Sequence, residues 1–294
     1  MPQRPSEPKL RSLVAIRAEG AGTPFFCVPA FGSDIEHYRL LSRHVGPSRR
    51  FYVLISQGFD GSVPPHDKIE DMAASYIEQI RVVQPHGPYF VGGASSGGTV
   101  AWEMAQQLHA MGEPVGLLLL IDAFHRGHER YQPDPRPGRT GVDTLLSRFD
   151  FHVGNLVTRD RKAQIEYISS LVRGRLQRAG MHLPALVGGE TPEERRSTLF
   201  QRVREANLRA LTHYFPERYP GKATLFYCTG ESIRTFKDRR LLWSGLAADG
   251  LELRLLEGEH ETLLEEPNVA LLGEELRAVL DRADREIART PSAA

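Results

Sequence analysis

Cysteine is scarce in this chain. Its 294 residues hold two, Cys27 and Cys228, each inside an apolar run that reads as a strand. Two such thiols cannot frame a disulfide-stapled fold, and they are expected as buried thiols in a reducing compartment. Excess charge is absent too, since 37 Lys and Arg balance 37 Asp and Glu. Nothing in that balance favours nucleic acid or an anionic membrane as a main partner. No C-x-x-C or H-E-x-x-H spacing occurs, so no metal site is expected. No apolar run approaches the length that spans a bilayer. The opening MPQRPSEPKLRS has no apolar segment of the kind a secretory signal needs. The expectation is a cytoplasmic protein that engages neither nucleic acid nor membrane.

What is present is an alternation. With 40% hydrophobic residues, the chain is long enough for one α/β domain carrying an insertion. Residues 1–22 read as a linker with a short strand at Leu13–Ile16. Strands are predicted at PFFCVPA (24–30), RFYVLIS (50–56), PYFVGGA (88–94) and VGLLLLID (115–122). Helical spacing lies between them, in EHYRLLSRHVG, KIEDMAASYIEQIRVVQP and GGTVAWEMAQQLHAMG. The near-continuous apolar run at 115–122 suits a parallel strand covered on both faces. From Ala123 onward the alternation stops and three segments look helical, the last opening with Pro at its first helical position in TPEE. It resumes with the strands ATLFYCTG and LELRLL, a helix in DRRLLWSGLA between them, and a last helix from Pro267. The predicted fold is a mostly parallel sheet with helices on both faces and one helical insertion. In such sheets the ligand site lies at the carboxyl ends of the strands, and the insertion leaves from that edge. The divisions are a core at 23–122 and 207–284, an insertion at 123–206, and a disordered tail at 285–294.

At that edge the sequence Gly93-Ala94-Ser95-Ser96-Gly97 meets the pattern G-x-S-x-G. Ser96 does not meet it, because Ala94 stands two positions before it. A nucleophile elbow is a sharp, strained strand-to-helix turn that exposes a serine hydroxyl, and side chains two before and two after would collide. Ser95 is therefore the predicted nucleophile. The helix start behind it favours developing negative charge, and the Ser96 backbone N–H becomes one oxyanion donor. A phosphate loop is the rival for such a junction, but neither G-K-[ST] nor G-x-G-x-x-G is present.

A serine nucleophile needs a base, and the base needs an acid that orients it. In this fold class the chain order is Ser, acid, His. His260, in LLEGEHETLLEEP, follows the last predicted strand at its carboxyl end; His125 and His128 are the weaker candidates. For the acid, Asp122 ends the apolar strand 115–122, and a carboxylate there needs a partner for its charge. Glu231, with Asp238 beyond it, ends the next strand. Geometry read from sequence leaves that choice open.

These segments together resemble the type I thioesterase domains of nonribosomal peptide synthetases and polyketide synthases, members of the α/β-hydrolase family. The blocks are FFCVPAFGSDIEHYRLLSRHVGPSRRFYVL, IEDMAASYIEQIRVVQPHGPYFVGGASSGGTVAWEMAQQL and GEHETLLEEPNV. The resemblance covers about Ser12 to Asp122 and Asn207 to Leu280. It implies an α/β-hydrolase fold whose helical insertion is a lid, and it favours Asp122 as the acid. It implies a second oxyanion donor in VPAFG, the N–H of Phe31 or of Ala30. Val28 and Phe31 depart from the His-Pro-Ala-Gly-Gly of many relatives, and the Phe31 ring is expected to narrow the mouth of the site or touch the acyl chain. Ala94 departs from a Trp or His, which implies a roomier substrate channel. The implied partner is an acyl or peptidyl carrier protein, whose phosphopantetheine arm brings the thioester; no further cofactor is implied. Arg159, Arg161, Arg173, Arg175 and Arg178 in the insertion could meet that arm's phosphate, though a solvated helix face is the plainer reading.

The expected reaction is acyl transfer through an acyl-serine, released by water or by a nucleophile within the acyl chain. Three rivals stand beside it. A type II editing thioesterase would use Glu231 or Asp238 as its acid. A general esterase of this fold would accept small free esters. A non-catalytic binding protein would lack a triad member, and all three residue types are present here.

Overall fold

The computed structural model describes residues 12–125, 192–230 and 243–289. A seven-stranded sheet organises them. In chain order its strands are β1 (Leu13–Arg17), β2 (Ala21–Val28), β3 (Arg49–Leu54), β4 (Tyr89–Ala94), β5 (Val115–Ile121), β6 (Ala223–Cys228) and β7 (Leu251–Leu256). The helices are α1 (Ile35–Val45), α2 (Ile69–Val83), α3 (Ser96–Ala110), α4 (Pro192–His213) and α5 (Asn268–Arg289). Across the sheet the strands run β1-β3-β2-β4-β5-β6-β7, with β1 antiparallel to β3 and the other pairs parallel. Strand order reverses between β2 and β4. In open α/β sheets, ligands bind outside the carboxyl ends of the strands at such a reversal.

The apolar runs read as continuous because both faces of the sheet are covered. Successive side chains alternate faces. Phe26 and Val28 join Tyr89, Val91, Leu118 and Leu120 on the face packed by α2 and α3. Phe25 and Cys27 join Phe90, Leu117, Leu119 and Ile121 under α1 and α5. Burial raises the Cys27 thiol far above its ordinary pKa, so it packs as a neutral group. At the amino end of β3, the buried Arg49 guanidinium reaches two carboxylates of α5. Nη2 lies 2.6 Å from Asp281 Oδ1 and Nη1 lies 2.6 Å from Asp284 Oδ2, while Asp284 Oδ1 accepts the Thr23 N–H at 3.1 Å.

Observed bounds depart from the predicted ones in places that packing explains. β2 starts at Ala21 rather than at 24, because the Ala21 N–H donates to Ser48 O at 2.7 Å although Ala21, Gly22 and Thr23 carry no apolar pattern. Two strands thus begin within the stretch read as a linker. α5 continues to Arg289 where a tail was expected, with Ile287 packed against the core under it. α4 is continuous across the predicted 206/207 division, and Pro192 occupies its first residue. The other two predicted insertion helices, and the first half of the helix expected in DRRLLWSGLA, lie outside the described residues.

Candidate active site

The junction at the carboxyl ends of β2 and β4 is built by close backbone approach. After β4 the chain turns at Ser95, with φ 51 and ψ −120, directly into α3. A positive φ is strained for serine and persists only where the surroundings enforce it. Here the Ser95 N–H donates to Ile121 O at 2.9 Å, and Gly98 N–H to Ser95 O at 3.1 Å. Glycine is required on either side. A Cβ on Gly93 would lie 2.2 Å from Gly97 O, and one on Gly97 would lie 2.2 Å from Val28 O and 2.4 Å from Pro29 O. The second pair of distances means that the loop after β2 lies directly on the start of α3.

That loop is a turn closed by Ser33 N–H to Ala30 O at 3.0 Å, with Gly32 at φ 85. Phe31 and Ala30, the two candidate oxyanion donors, have different partners. The Ala30 N–H donates to the Tyr38 hydroxyl of α1 at 3.0 Å. Tyr38 is fully buried, and burial keeps its phenol protonated well above the usual range. The Phe31 N–H donates to Ser96 Oγ at 2.8 Å. Ser95 is partly exposed, whereas Ser96 is 7% exposed.

Asp122 follows β5 with φ 44, and its N–H donates to Phe226 O at 2.8 Å. Its carboxylate is fully buried and held from two sides. Oδ1 accepts the Cys228 N–H at 3.3 Å, and Oδ2 lies 2.6 Å from His260 Nδ1. His260 sits four residues past β7 and is partly exposed. To meet Asp122 it reaches across β6, which separates β5 from β7 by about two strand spacings, roughly 9.6 Å. Phe124 lies beside the imidazole, ring centroids 6.4 Å apart, and Thr99 Oγ1 of α3 holds the Phe124 carbonyl at 2.9 Å.

The rival residues are placed otherwise or not described. His125 is 8% exposed and stands edge-on to the Trp243 ring, with centroids 4.6 Å apart. His128, Glu231, Asp238 and the five arginines of the insertion lie outside the described residues. Ala94, expected beside a substrate channel, is 5% exposed and packs with the residues under α1 and α5, so its methyl belongs to the core. Two contacts were not anticipated from sequence: the Tyr38 clamp on Ala30 and the Ser96 hydroxyl on Phe31. A tyrosine four residues into α1 and a second serine beside the first are visible in the sequence, but neither residue type signals such a bond.

Among the described residues, no helix is long and apolar enough to cross a membrane. Comparison with known proteins gives the arrangement a setting. The dimodular nonribosomal peptide synthase of Bacillus subtilis (strain 168) is 40% identical to this chain over 119 residues, 40% of this chain and 5% of that protein. The indigoidine synthase of Dickeya dadantii (strain 3937) is 41% identical over 109 residues, 37% of this chain and 7% of that protein. The chain therefore matches a small part of each. Among solved structures, holo-AB3403, a four-domain nonribosomal peptide synthetase bound to AMP and glycine, aligns over 91% of this chain and 20% of its own, with a TM-score of 0.65 and 26% identity. The NocB thioesterase domain shares the fold over 92% of this chain and 99% of its own, with a TM-score of 0.60 and 24% identity. A model of the thioesterase domain matches residues 23–276, from within β2 into α5. That span takes in the turn at Ser95, the end of β5 and the loop of His260, and the chain belongs to the thioesterase domain family.

Proposed function

We propose that this chain releases an acyl or peptidyl group from the phosphopantetheine thioester of a carrier protein, through an acyl-serine intermediate. The observation that carries this reading is the 2.6 Å contact between His260 Nδ1 and the buried Asp122 carboxylate, beside a strained serine turn in a thioesterase domain. In the first half-reaction His260 takes the Ser95 proton as Oγ attacks the thioester carbonyl. The C–S bond then breaks, and the pantetheine thiolate leaves with the proton from His260. In the second, water or a hydroxyl or amine of the acyl chain attacks the ester, giving a linear acid or a macrocycle and restoring Ser95. Asp122 holds the imidazole in the productive tautomer and stabilises its charged form. The N–H groups of Ser96 and Phe31 meet the oxyanion, each donor worth about 3–4 kcal/mol in other enzymes. The chain itself supplies every catalytic group, with no cofactor of its own.

An editing-type arrangement would draw its acid from Glu231 or Asp238. The Asp122 contact favours the release-type assignment. The test is intact-protein mass spectrometry with a panel of acyl N-acetylcysteamine thioesters on the wild type and on Ser95→Ala. The wild type should gain the acyl mass or turn over, with the linear or cyclic product identified alongside. A Ser95→Ala protein that still acylates or turns over would remove Ser95 as nucleophile and the mechanism with it.

A further inference from the structure

The turn after β2 and the start of α3 meet through a side chain. Phe31 N–H donates to Ser96 Oγ at 2.8 Å. That separation falls in the range, about 2.7–3.1 Å, that an oxyanion donor keeps from the oxygen it stabilises. A backbone N–H has one direction and serves one strong acceptor well. The Ser96 hydroxyl oxygen thus occupies the position in which Phe31 would hold a substrate oxygen.

The surroundings leave little else free to move. Ala30 N–H is committed to Tyr38, and the turn is closed by Ser33 on Ala30. Gly97 lies so close to the Val28 and Pro29 carbonyls that no added carbon would fit between them. Loop and helix therefore cannot slide past one another to free the Phe31 N–H. The soft coordinate is the χ1 torsion of Ser96, which has three staggered wells.

We propose that the Ser96 hydroxyl is an internal plug of the oxyanion hole. It occupies the Phe31 donor in the free enzyme and turns away when an acyl carbonyl arrives. Ser96 is on this view a positioning residue with a side-chain role distinct from that of its backbone N–H. The proposal rests on the reading of Ser95 as nucleophile and Phe31 as donor. It also carries a selectivity. Displacing the plug draws on contacts made by the remote part of the substrate, which a long carrier-borne chain has and a short thioester lacks.

The test uses the whole protein and a small alkyl fluorophosphonate. Its reaction forms an O–P bond at Ser95 and breaks P–F; fluoride leaves and the serine proton passes to His260. The phosphonyl oxygen enters the oxyanion hole without help from remote contacts. Second-order labelling rates are read by intact mass on the wild type, Ser95→Ala and Ser96→Ala. Ser96→Ala should label about 2- to 10-fold faster than the wild type, the factor that one net intramolecular hydrogen bond represents. Hydrogen exchange at the Phe31 amide, an activity-independent readout, should be faster in Ser96→Ala. An unchanged or slower labelling rate overturns the plug, and so does an unchanged Phe31 exchange rate. If the adduct forms away from Ser95, or if Ser95→Ala still labels, the assigned nucleophile fails instead. An adduct on Ser95 with no gain in Ser96→Ala removes the plug alone.

Discussion

Asp122 and His260 are 138 positions apart in the chain and 2.6 Å apart in the fold, Oδ2 against Nδ1. The contact crosses an intervening strand, and Asp122 is also fixed by its own N–H on Phe226 and by the Cys228 N–H on Oδ1. On the proposed mechanism, replacing the carboxylate by an amide keeps the shape and removes the charge that would select the imidazole tautomer. Asp122→Asn should therefore lose about 10³- to 10⁴-fold in kcat on an N-acetylcysteamine thioester, with Glu231→Gln and Asp238→Asn near wild type. Full activity in Asp122→Asn would move the acid to the end of β6.

The serine turn depends on the absence of a single carbon. A Cβ at residue 93 would sit 2.2 Å from Gly97 O and 2.6 Å from Gly98 N, both backbone atoms that cannot swing aside. Gly93→Ala should cost about 3 kcal/mol, a fall of about 6–12 °C in Tm. It should also lower turnover by at least about 100-fold through displacement of Ser95. Calorimetry and the thioester assay together check this. A variant with wild-type Tm and rate would mean that the turn relaxes in another way.

Stability should respond to acid through an ion cluster distant from the site. Partial burial alone would raise the Glu252 carboxyl of β7. The hydrogen bonds and charges of Arg282, Lys222 and Arg254 outweigh that and bring it down to about 2. A carboxyl depressed in the folded state contributes stability above its unfolded pKa, about 4.3, and loses it as pH falls through the folded value. Glu252→Gln should lower unfolding free energy at pH 7 by about 1 kcal/mol, solvent screening keeping partly exposed pairs weak. The gap to the wild type should narrow below about pH 4. Urea titrations from pH 7 to 3 test the sign, and a gap that widens in acid would contradict it.

The strands were legible because parallel strands covered on both faces leave unbroken apolar runs, as in Val115–Ile121. The turn at Ser95 was legible because steric crowding dictates glycine at 93 and 97, a requirement written directly into residue types. The acid was not decidable from the residues alone. Asp122 and Glu231 both end apolar runs, and nothing local encodes that the loop after β7 carries His260 past β6 to β5. The resemblance favours Asp122, whose Oδ2 lies 2.6 Å from His260 Nδ1. Ala94 misled because a small residue in the chain reads alike whether it borders a cavity or fills a core, and here it fills the core. Tyr38 and the Ser96 side chain escaped notice for a related reason. Their bonds join residues 8 and 65 positions apart, and no periodicity records a lone hydroxyl meeting a lone N–H.

The Arg49 cluster bears on how the molecule comes into being. Its carboxylate partner Asp281 is made 232 residues after it, an interval of about 10–50 s at ribosomal elongation rates of roughly 5–20 residues per second. Throughout that time a guanidinium destined for burial has no counter-charge, and the Phe25, Cys27 and Phe51 side of the sheet has no α5 to cover it. A nascent chain can assemble the α2 and α3 layer early, but its other face closes last, when the final helix arrives with Asp281 and Asp284. Until then that face is the one a chaperone would meet.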